Sequence, residues 1–215
     1  MSVGVKICGL SSEEALAAAI AGGARFVGFV FYPPSPRHLT IERAAALARR
    51  VPDGIGRVAV LVDPDDDFLA RLTTKVPLEL LQLHGKETPE RVQAIKDRFR
   101  IRLMKAIPIA GEGDLDAAKP YLGVADWLMF DAKPPKEKTD AMPGGNALAF
   151  DWRLLRRRPW PLPWMLSGGL DPDNLADAAK ISGAEALDVS SGVETAPGLK
   201  SAEKIRLFLA RAAAL

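Results

Sequence analysis

Residues 26–31 of the chain are Phe26-Val27-Gly28-Phe29-Val30-Phe31, an uninterrupted apolar run of strand length. Continuous apolar runs of this kind are typical of strands buried on both faces, as in a parallel sheet covered by helices. Working outward from this run, short apolar stretches alternate with stretches rich in Ala, Leu, Arg and Glu along the whole chain. The alternation predicts an α/β fold.

Eight strands and eight helices are predicted from this pattern. The strands are Val3–Cys8, Phe26–Phe31, Arg57–Val62, Leu78–Leu83, Ile101–Ile107, Asp126–Phe130, Trp164–Leu166 and Ala186–Val189. The helices are Ser11–Ala21, Thr40–Val51, Asp65–Thr73, Thr88–Phe99, Leu115–Leu122, Asp151–Arg157, Pro172–Ile181 and Ser201–Ala213. Ser11 is predicted as the first N-cap, with Glu14 at capping-box spacing, and Pro172 as a first-turn residue. The stretch from Ala132 to Ala149, rich in Pro, Gly and Lys, is predicted as a loop.

Eight strand–helix units of about 27 residues each suit a small (β/α)8 TIM barrel. The alternative is an open doubly wound sheet, which usually brings a G-x-G-x-x-G loop after its first strand. Here the first strand is followed by Cys8-Gly9-Leu10-Ser11, and no such loop occurs. No linker divides the chain, so a single barrel domain over residues 1–215 is predicted.

Composition narrows the classes of function. The chain has 215 residues and a net charge of +2, and its only basic run is Arg156-Arg157-Arg158, so a nucleic-acid partner is not expected. Neither a signal peptide nor an apolar segment of membrane-spanning length is apparent. The single cysteine, Cys8, cannot form an internal disulfide, which suits a reducing cytoplasm. No obligatory protein partner is evident.

The loops after the seventh and eighth strands predict a phosphate site. Gly168 and Gly169 allow backbone N–H groups to approach an anion closely, and Ser190, Ser191 and Gly192 add hydroxyls and another bare backbone. Phosphate sites recur at these two loops in TIM barrels. The alternative is that the glycines only make tight turns, which would be the better interpretation for one loop alone.

Cys8 ends the first predicted strand and Asp131 directly follows the sixth, and these two strands face each other across a closed barrel. Taken singly, Cys8 would be interpreted as a small buried hydrophobe and Asp131 as a strand-end residue. As a pair at one mouth, they suit general acid–base transfer of protons on a bound sugar. His38 and His84 are far apart in sequence, and no His/Cys/Asp group has metal-ligand spacing. No metal site is expected.

The further candidates for binding the substrate are Arg37, His84 and Asp188. Arg37, held by a Pro-rich loop, suits bidentate capture of a carboxylate, or else it pairs with a neighbouring helix. His84 has either a loop-ordering or a chemical role. Lys6 points to the same side as Cys8, and a buried lysine needs a partner. We expect it within about 6 Å of Asp188, which also lies within reach of a ribose hydroxyl.

Several motifs together resemble the phosphoribosylanthranilate isomerase family of tryptophan biosynthesis. They span the chain from the first strand to the last helix. They are Lys6-Ile7-Cys8-Gly9, Phe31-x-x-x-Ser35-Pro36-Arg37, Gln82-Leu83-His84-Gly85, Phe150-Asp151-Trp152, Ser167-Gly168-Gly169-Leu170-x-Pro172-x-Asn174, and Asp188-Val189-Ser190-Ser191-Gly192-Val193-Glu194-x-x-Pro197-Gly198-x-Lys200. One departure is Ala147, at a position where the family usually has glycine.

The resemblance implies an Amadori rearrangement of N-(5-phosphoribosyl)anthranilate, an aminoaldose, to the aminoketose, with neither cofactor nor metal. Cys8 is then the base, which we expect to favour its thiolate, and Asp131 is the acid. Arg37 holds the anthranilate carboxylate, and the two Gly/Ser loops hold the phosphate. The alternatives are a related sugar-phosphate isomerase, for which two carboxylates rather than Cys8 would be expected, and a non-catalytic barrel that binds a phosphorylated ligand.

Overall fold

A computed structural model describes residues 3–133, 149–156 and 158–215. Eight parallel strands close into a barrel in chain order, and β8 pairs with β1. The predicted (β/α)8 fold is therefore confirmed. The strands are β1 Gly4–Cys8, β2 Phe26–Phe31, β3 Gly56–Leu61, β4 Leu80–Leu83, β5 Arg102–Ile109, β6 Trp127–Ala132, β7 Trp164–Leu166 and β8 Ala186–Val189.

Helices follow the strands on the outside of the barrel. They are α1 Glu13–Ala21, α2 Ile41–Ala48, α3 Asp66–Lys75, α4 Pro89–Phe99, α5 Arg153–Arg156, α6 Leu175–Ser182 and α7 Ala202–Ala213. The predicted helix Leu115–Leu122 is instead a 3₁₀ helix, Glu112–Tyr121. Pro120 lies inside that segment and has no N–H to donate, which disfavours a regular α-helix there.

The prediction for the start of α1 is wrong by one residue. Ser12, not Ser11, is the N-cap, and its hydroxyl accepts a hydrogen bond from the N–H of Ala15. This register places Glu13 and Glu14 in the first turn, where the helix dipole favours negative charge. Glu14 therefore stabilises the helix through its charge and is not the partner of a Ser11 capping box.

The predicted start of α6 at Pro172 is also wrong. The helix begins at Leu175, and a turn made by two side chains precedes it. The Asp171 carboxylate accepts from the N–H groups of Asp173 and Asn174, and the Asn174 amide oxygen accepts from the N–H of Asp171. This side-chain turn competes with helical hydrogen bonding and delays the helix.

The barrel strands have one apolar layer on their outer face and another on their inner face. The larger packs the outward faces of the strands against the helices. The smaller fills the barrel interior with Phe26, Val58, Leu80, Met104, Ala106, Met129, Met165 and Ala186. Because side chains alternate along a strand, the interior residues two positions further on occupy the next layer towards the carboxyl ends. There the chain places Lys6, Gln82, Asp131, Ser167 and Asp188, all buried.

A short hairpin follows β8 and was not predicted. A 3₁₀ turn, Ser191–Val193, leads into β9 Glu194–Ala196, which pairs antiparallel with β10 Leu199–Lys200. Most of the predicted loop between Ala132 and Ala149, including Ala147, lies outside the described residues. Within the part that the structure describes, no helix combines the length and apolar character needed to cross a membrane.

Candidate active site

Lys6, Asp188 and Ser167 form a buried polar cluster inside the barrel. Lys6 on β1 and Asp188 on β8 are register partners, and Lys6 Nζ lies 2.8 Å from Asp188 Oδ1. This confirms the predicted approach of the two side chains. The Ser167 hydroxyl donates to the other oxygen, Asp188 Oδ2, at 3.1 Å. Burial alone would lower the pKa of Lys6, but the charges of Asp188 and Cys8 and the hydrogen bonds to both together outweigh it, so the pKa is raised.

Cys8 lies one layer above Lys6, at the carboxyl end of β1. It packs against Val30 and Val60, and a Cβ atom at Gly28 would lie only 3.2 Å from Cys8 Sγ, so that glycine leaves room for the thiol. Burial raises the pKa of Cys8, and the Lys6 cation only partly offsets this effect. The prediction that the site favours the thiolate is therefore wrong, because loss of water outweighs the nearby positive charge.

Asp131 is joined to His84, and His84 to Gln82, across β6 and β4. His84 Nε2 lies 3.1 Å from Asp131 Oδ2, and Gln82 Nε2 lies 2.9 Å from His84 Nδ1. An amide nitrogen can only donate, so in this arrangement Nδ1 accepts and Nε2 carries the hydrogen that faces Asp131. His84 therefore orients the carboxylate. Sequence reasoning did not identify Gln82 as a contributor.

The loop that carries His84 is anchored by a second buried ion pair, which sequence reasoning missed. Glu87 follows this loop, and Lys105 Nζ lies 2.8 Å from its Oε2. The Glu87 carboxylate also accepts from the N–H groups of Asp63 and Gly85, and Lys105 donates to the Gly85 carbonyl at 2.7 Å. The signal in the sequence was Lys105 itself, a charged residue in the middle of an apolar strand.

Arg37 is buried, and its partner is Glu194. Arg37 Nε and Nη2 lie 2.7 and 2.8 Å from the two Glu194 carboxylate oxygens, a bidentate pair. The side-chain stem passes over the residue after Cys8, since a Cβ at Gly9 would lie 2.6 Å from Arg37 Cδ. Arg37 is therefore held at the mouth beside β1, and it is not a surface residue paired with a helix. Glu194 lies in one of the motifs that resemble the family, but the sequence predicted no role for it.

Lys200 connects Glu194 to the loop after β8. Lys200 Nζ lies 2.6 Å from Glu194 Oε1, and it donates to the Ser190 carbonyl at 2.9 Å and the Ser190 hydroxyl at 3.2 Å. The Ser190 hydroxyl in turn donates to the carbonyl of Cys8. Burial lowers the pKa of Lys200, an effect that Glu194 only partly offsets. The loop after β8 is thus fixed to the strand that carries Cys8.

The two Gly/Ser loops are packed against each other. Gly168 and Gly169 have φ of +93° and +66°, a conformation that favours glycine. A Cβ at Gly192 would lie 1.9 Å from the carbonyl oxygen of Leu170, so the loops touch through bare backbone. Asn174 donates to the Gly169 carbonyl at 2.8 Å and so supports the first loop. A Cβ at Gly168 would lie 3.1 Å from Asp131 Oδ1, which places this loop beside Asp131.

The arrangement places a thiol, a carboxyl group and a guanidinium around one barrel mouth. β6 lies three strands from β1 by way of β8 and β7, so Cys8 and Asp131 approach the mouth from different sides. In the described part of the chain, no three His, Cys, Asp or Glu side chains are grouped to hold a metal ion. Such a mouth can bind an anion and exchange protons with it from two directions.

Comparison with known proteins agrees with this geometry. Residues 5–211 match the family model described as N-(5'phosphoribosyl)anthranilate (PRA) isomerase. The chain is 57% identical over 215 residues to the N-(5'-phosphoribosyl)anthranilate isomerase of Rhodospirillum centenum, and the match covers 100% of both chains.

Solved structures show the same likeness. The phosphoribosyl anthranilate isomerase of Thermotoga maritima has a TM-score of 0.88 at 34% identity, covering 99% of this chain and 100% of that one. Another phosphoribosyl anthranilate isomerase, in complex with reduced 1-(o-carboxyphenylamino)-1-deoxyribulose 5-phosphate, has a TM-score of 0.84 at 33% identity with the same coverage. The chain belongs to the N-(5'-phosphoribosyl)anthranilate isomerase family.

Proposed function

We propose that the chain catalyses the Amadori rearrangement of N-(5'-phosphoribosyl)anthranilate to 1-(2-carboxyphenylamino)-1-deoxyribulose 5-phosphate, a step of tryptophan biosynthesis. The observation that carries the proposal is the placement of Cys8 and Asp131 on different sides of one mouth, with the Gly168 loop beside Asp131. A phosphate held by that loop brings the sugar between the two groups.

Asp131 acts first, as the general acid. Its protonated form delivers a proton to the furanose oxygen, and the bond from that oxygen to C1' breaks with the nitrogen lone pair forming an iminium ion. His84 holds the carboxyl group in place for this transfer.

Cys8 acts second, as the general base. The iminium ion acidifies the C2' proton, which the Cys8 thiolate removes, and the electrons of the C–H bond neutralise the iminium nitrogen. The resulting enolamine tautomerises to the ketone. Because burial raises the pKa of Cys8, the thiolate is the minor form at neutral pH, and the Lys6 cation below it supplies the stabilisation that makes it accessible.

The remaining side chains bind the substrate. Arg37 binds the anthranilate carboxylate, and Asp188, with one oxygen already bonded to Ser167, accepts from a ribose hydroxyl. The backbone of Gly168, Gly169 and Gly192, with the hydroxyls of Ser190 and Ser191, binds the phosphate.

We also infer how the chain is organised. The proposed site draws on residues from β1 to β10, which supports one functional domain over residues 1–215. The reaction needs a phosphorylated small molecule and no protein partner. Because Cys8 must remain a free thiol, a reducing compartment such as the cytoplasm suits the enzyme.

The direct test supplies the substrate to the purified protein. N-(5'-phosphoribosyl)anthranilate generated in situ is mixed with the chain, and loss of its anthranilate-type fluorescence is followed. We expect rapid loss that depends on enzyme concentration. Binding without turnover would favour a non-catalytic phosphate-binding barrel, and turnover only of other sugar phosphates would favour a related isomerase.

A further inference from the structure

Glu194 is the one carboxylate in the described part of the chain that bonds both Arg37 and Lys200. Its side chain is buried, and its two oxygens lie 2.7 and 2.8 Å from Arg37 Nε and Nη2. Lys200 Nζ, whose side chain is 1% exposed, lies 2.6 Å from Glu194 Oε1. One negative charge is therefore shared by two buried cations at the barrel mouth.

The pairing fixes the plane of the Arg37 guanidinium. Glu194 takes the edge formed by Nε and Nη2, which leaves Nη1 and the second N–H of Nη2 on the adjacent edge. No partner for Nη1 occurs among the residues that the structure describes. That free edge is a planar fork that matches a carboxylate in bidentate geometry, and its direction is set by Glu194.

The same carboxylate is tied to the loop that would hold phosphate. Lys200 Nζ donates to both the carbonyl oxygen and the hydroxyl oxygen of Ser190. The Glu194 carboxylate also accepts from the N–H of Gly198. Arg37, Glu194, Lys200 and Ser190 thus form an unbroken chain of bonds. The two ends of the chain are a free carboxylate-binding edge and an anion-binding loop.

We propose that Glu194 is a positioning residue that sets the carboxylate-binding edge of Arg37 at a fixed distance from the phosphate loop. The inference rests on the proposed function and adds the source of its specificity. Arg37 is placed to select ligands that carry an aromatic carboxylate as well as a phosphate, and Glu194 supplies that selection without touching the ligand.

The test is a comparison of two ligands in a binding measurement. One ligand is reduced 1-(o-carboxyphenylamino)-1-deoxyribulose 5-phosphate, and the other is the same compound without the carboxylate. The ratio of their dissociation constants, measured by calorimetry, isolates carboxylate recognition. In Glu194→Gln we expect this ratio to fall by about 10- to 100-fold, the range for charge-assisted hydrogen bonds, with a smaller change in affinity for the carboxylate-free ligand.

Further variants separate positioning from folding. Glu203→Gln, at an exposed position of α7, should leave the ratio unchanged. In an Arg37→Lys background the ratio is already low, and adding Glu194→Gln should lower it little further, because Glu194 acts through Arg37. Glu194→Asp, which withdraws the carboxylate by one methylene, should also lower the ratio. It replaces Glu194→Gln in the test if the Gln variant is unfolded at the temperature of the measurement.

The outcomes are distinct. An unchanged ratio in folded Glu194→Gln or Glu194→Asp overturns the inference and leaves the proposed function standing. An equal loss of affinity for both ligands also overturns it, since that is what a purely structural role produces. A wild-type protein that binds neither ligand overturns the inference together with the proposed function.

Discussion

At the scale of single residues, Cys8 is under two opposing influences. Burial against Val30 and Val60 raises the pKa of its thiol, while the Lys6 ammonium two residues earlier favours the thiolate. A raised pKa means that the fraction of thiolate grows with pH and becomes dominant only above the ordinary range of a thiol. At neutral pH Cys8 is thus mainly in its protonated thiol form.

Lys6→Met should raise the pKa of Cys8 further. Removing the cation leaves burial unopposed and leaves Asp188 as a nearby negative charge. Because Cys8 is the only cysteine, the pH dependence of alkylation by iodoacetamide reports its titration directly. We expect the midpoint to move to higher pH in Lys6→Met and to stay in place in Lys75→Met, an exposed control. A midpoint that moves to lower pH would disprove the role of Lys6.

Arg37→Lys should lower kcat/KM by about tenfold or more, because an ammonium cannot reproduce a planar fork. The variant also loses one of the two bonds to Glu194. Most of the loss should appear in KM if Arg37 binds the carboxylate equally in ground and transition states. Steady-state kinetics at a fixed pH provide the measurement, and an unchanged kcat/KM would remove Arg37 from the site.

At the scale of elements, the contact between the loops after β7 and β8 is tight enough to test with one methyl group. In Gly192→Ala the new Cβ would meet the Leu170 carbonyl, so the loops must separate. We expect weaker competitive inhibition by inorganic phosphate. Gly123→Ala, where a Cβ meets nothing within 4 Å, is the matched control. Equal inhibition constants for the two variants and the wild type would place the anion elsewhere.

The buried pair Lys105–Glu87 behind the His84 loop makes a prediction about stability. Lys105→Met leaves the Glu87 charge buried and uncompensated, which typically costs about 3–5 kcal/mol. Lys75→Met, which breaks the exposed pair with Glu42, should cost less than about 1 kcal/mol. Urea unfolding of both variants measures the difference. Equal losses would show that the pair does not hold the loop.

Sequence patterns predicted where the helices and strands lie better than they predicted the residues at which these elements end or the side chains that meet in the folded chain. Strand β2 was located correctly because its apolar run is continuous, but Ser11 and Ser12 are equally good caps in isolation, and only packing of α1 decides between them. The pairing of Arg37 with Glu194 joins residues 157 positions apart, which no local periodicity reveals. Glu194 and Gln82 were therefore missed as contributors even though both lie in motifs that resemble the family.

At the scale of the whole molecule, the apolar side chains that stabilise the barrel and the polar side chains proposed for catalysis lie in different layers of its interior. Its interior is apolar up to the level of Met129 and Met165, and polar in the layer above. The fold and the residues that end the strands at the mouth could be predicted, since both follow from strand order and from which residue ends each strand, whereas Gln82 and Glu194 were missed. The protonation of Cys8 could not, because it depends on how much water the folded mouth excludes.

The central claim is that Cys8 and Asp131 transfer the two protons. The most direct measurement is kcat/KM of Cys8→Ala and Asp131→Asn on N-(5'-phosphoribosyl)anthranilate, with melting temperatures recorded on the same samples. Each variant should lose activity by at least about 10²–10⁴-fold, the usual contribution of a general acid or base. Both should melt near the wild-type temperature, because the side chains lie at the mouth above the packed layer. Near-wild-type activity in either folded variant would contradict the account.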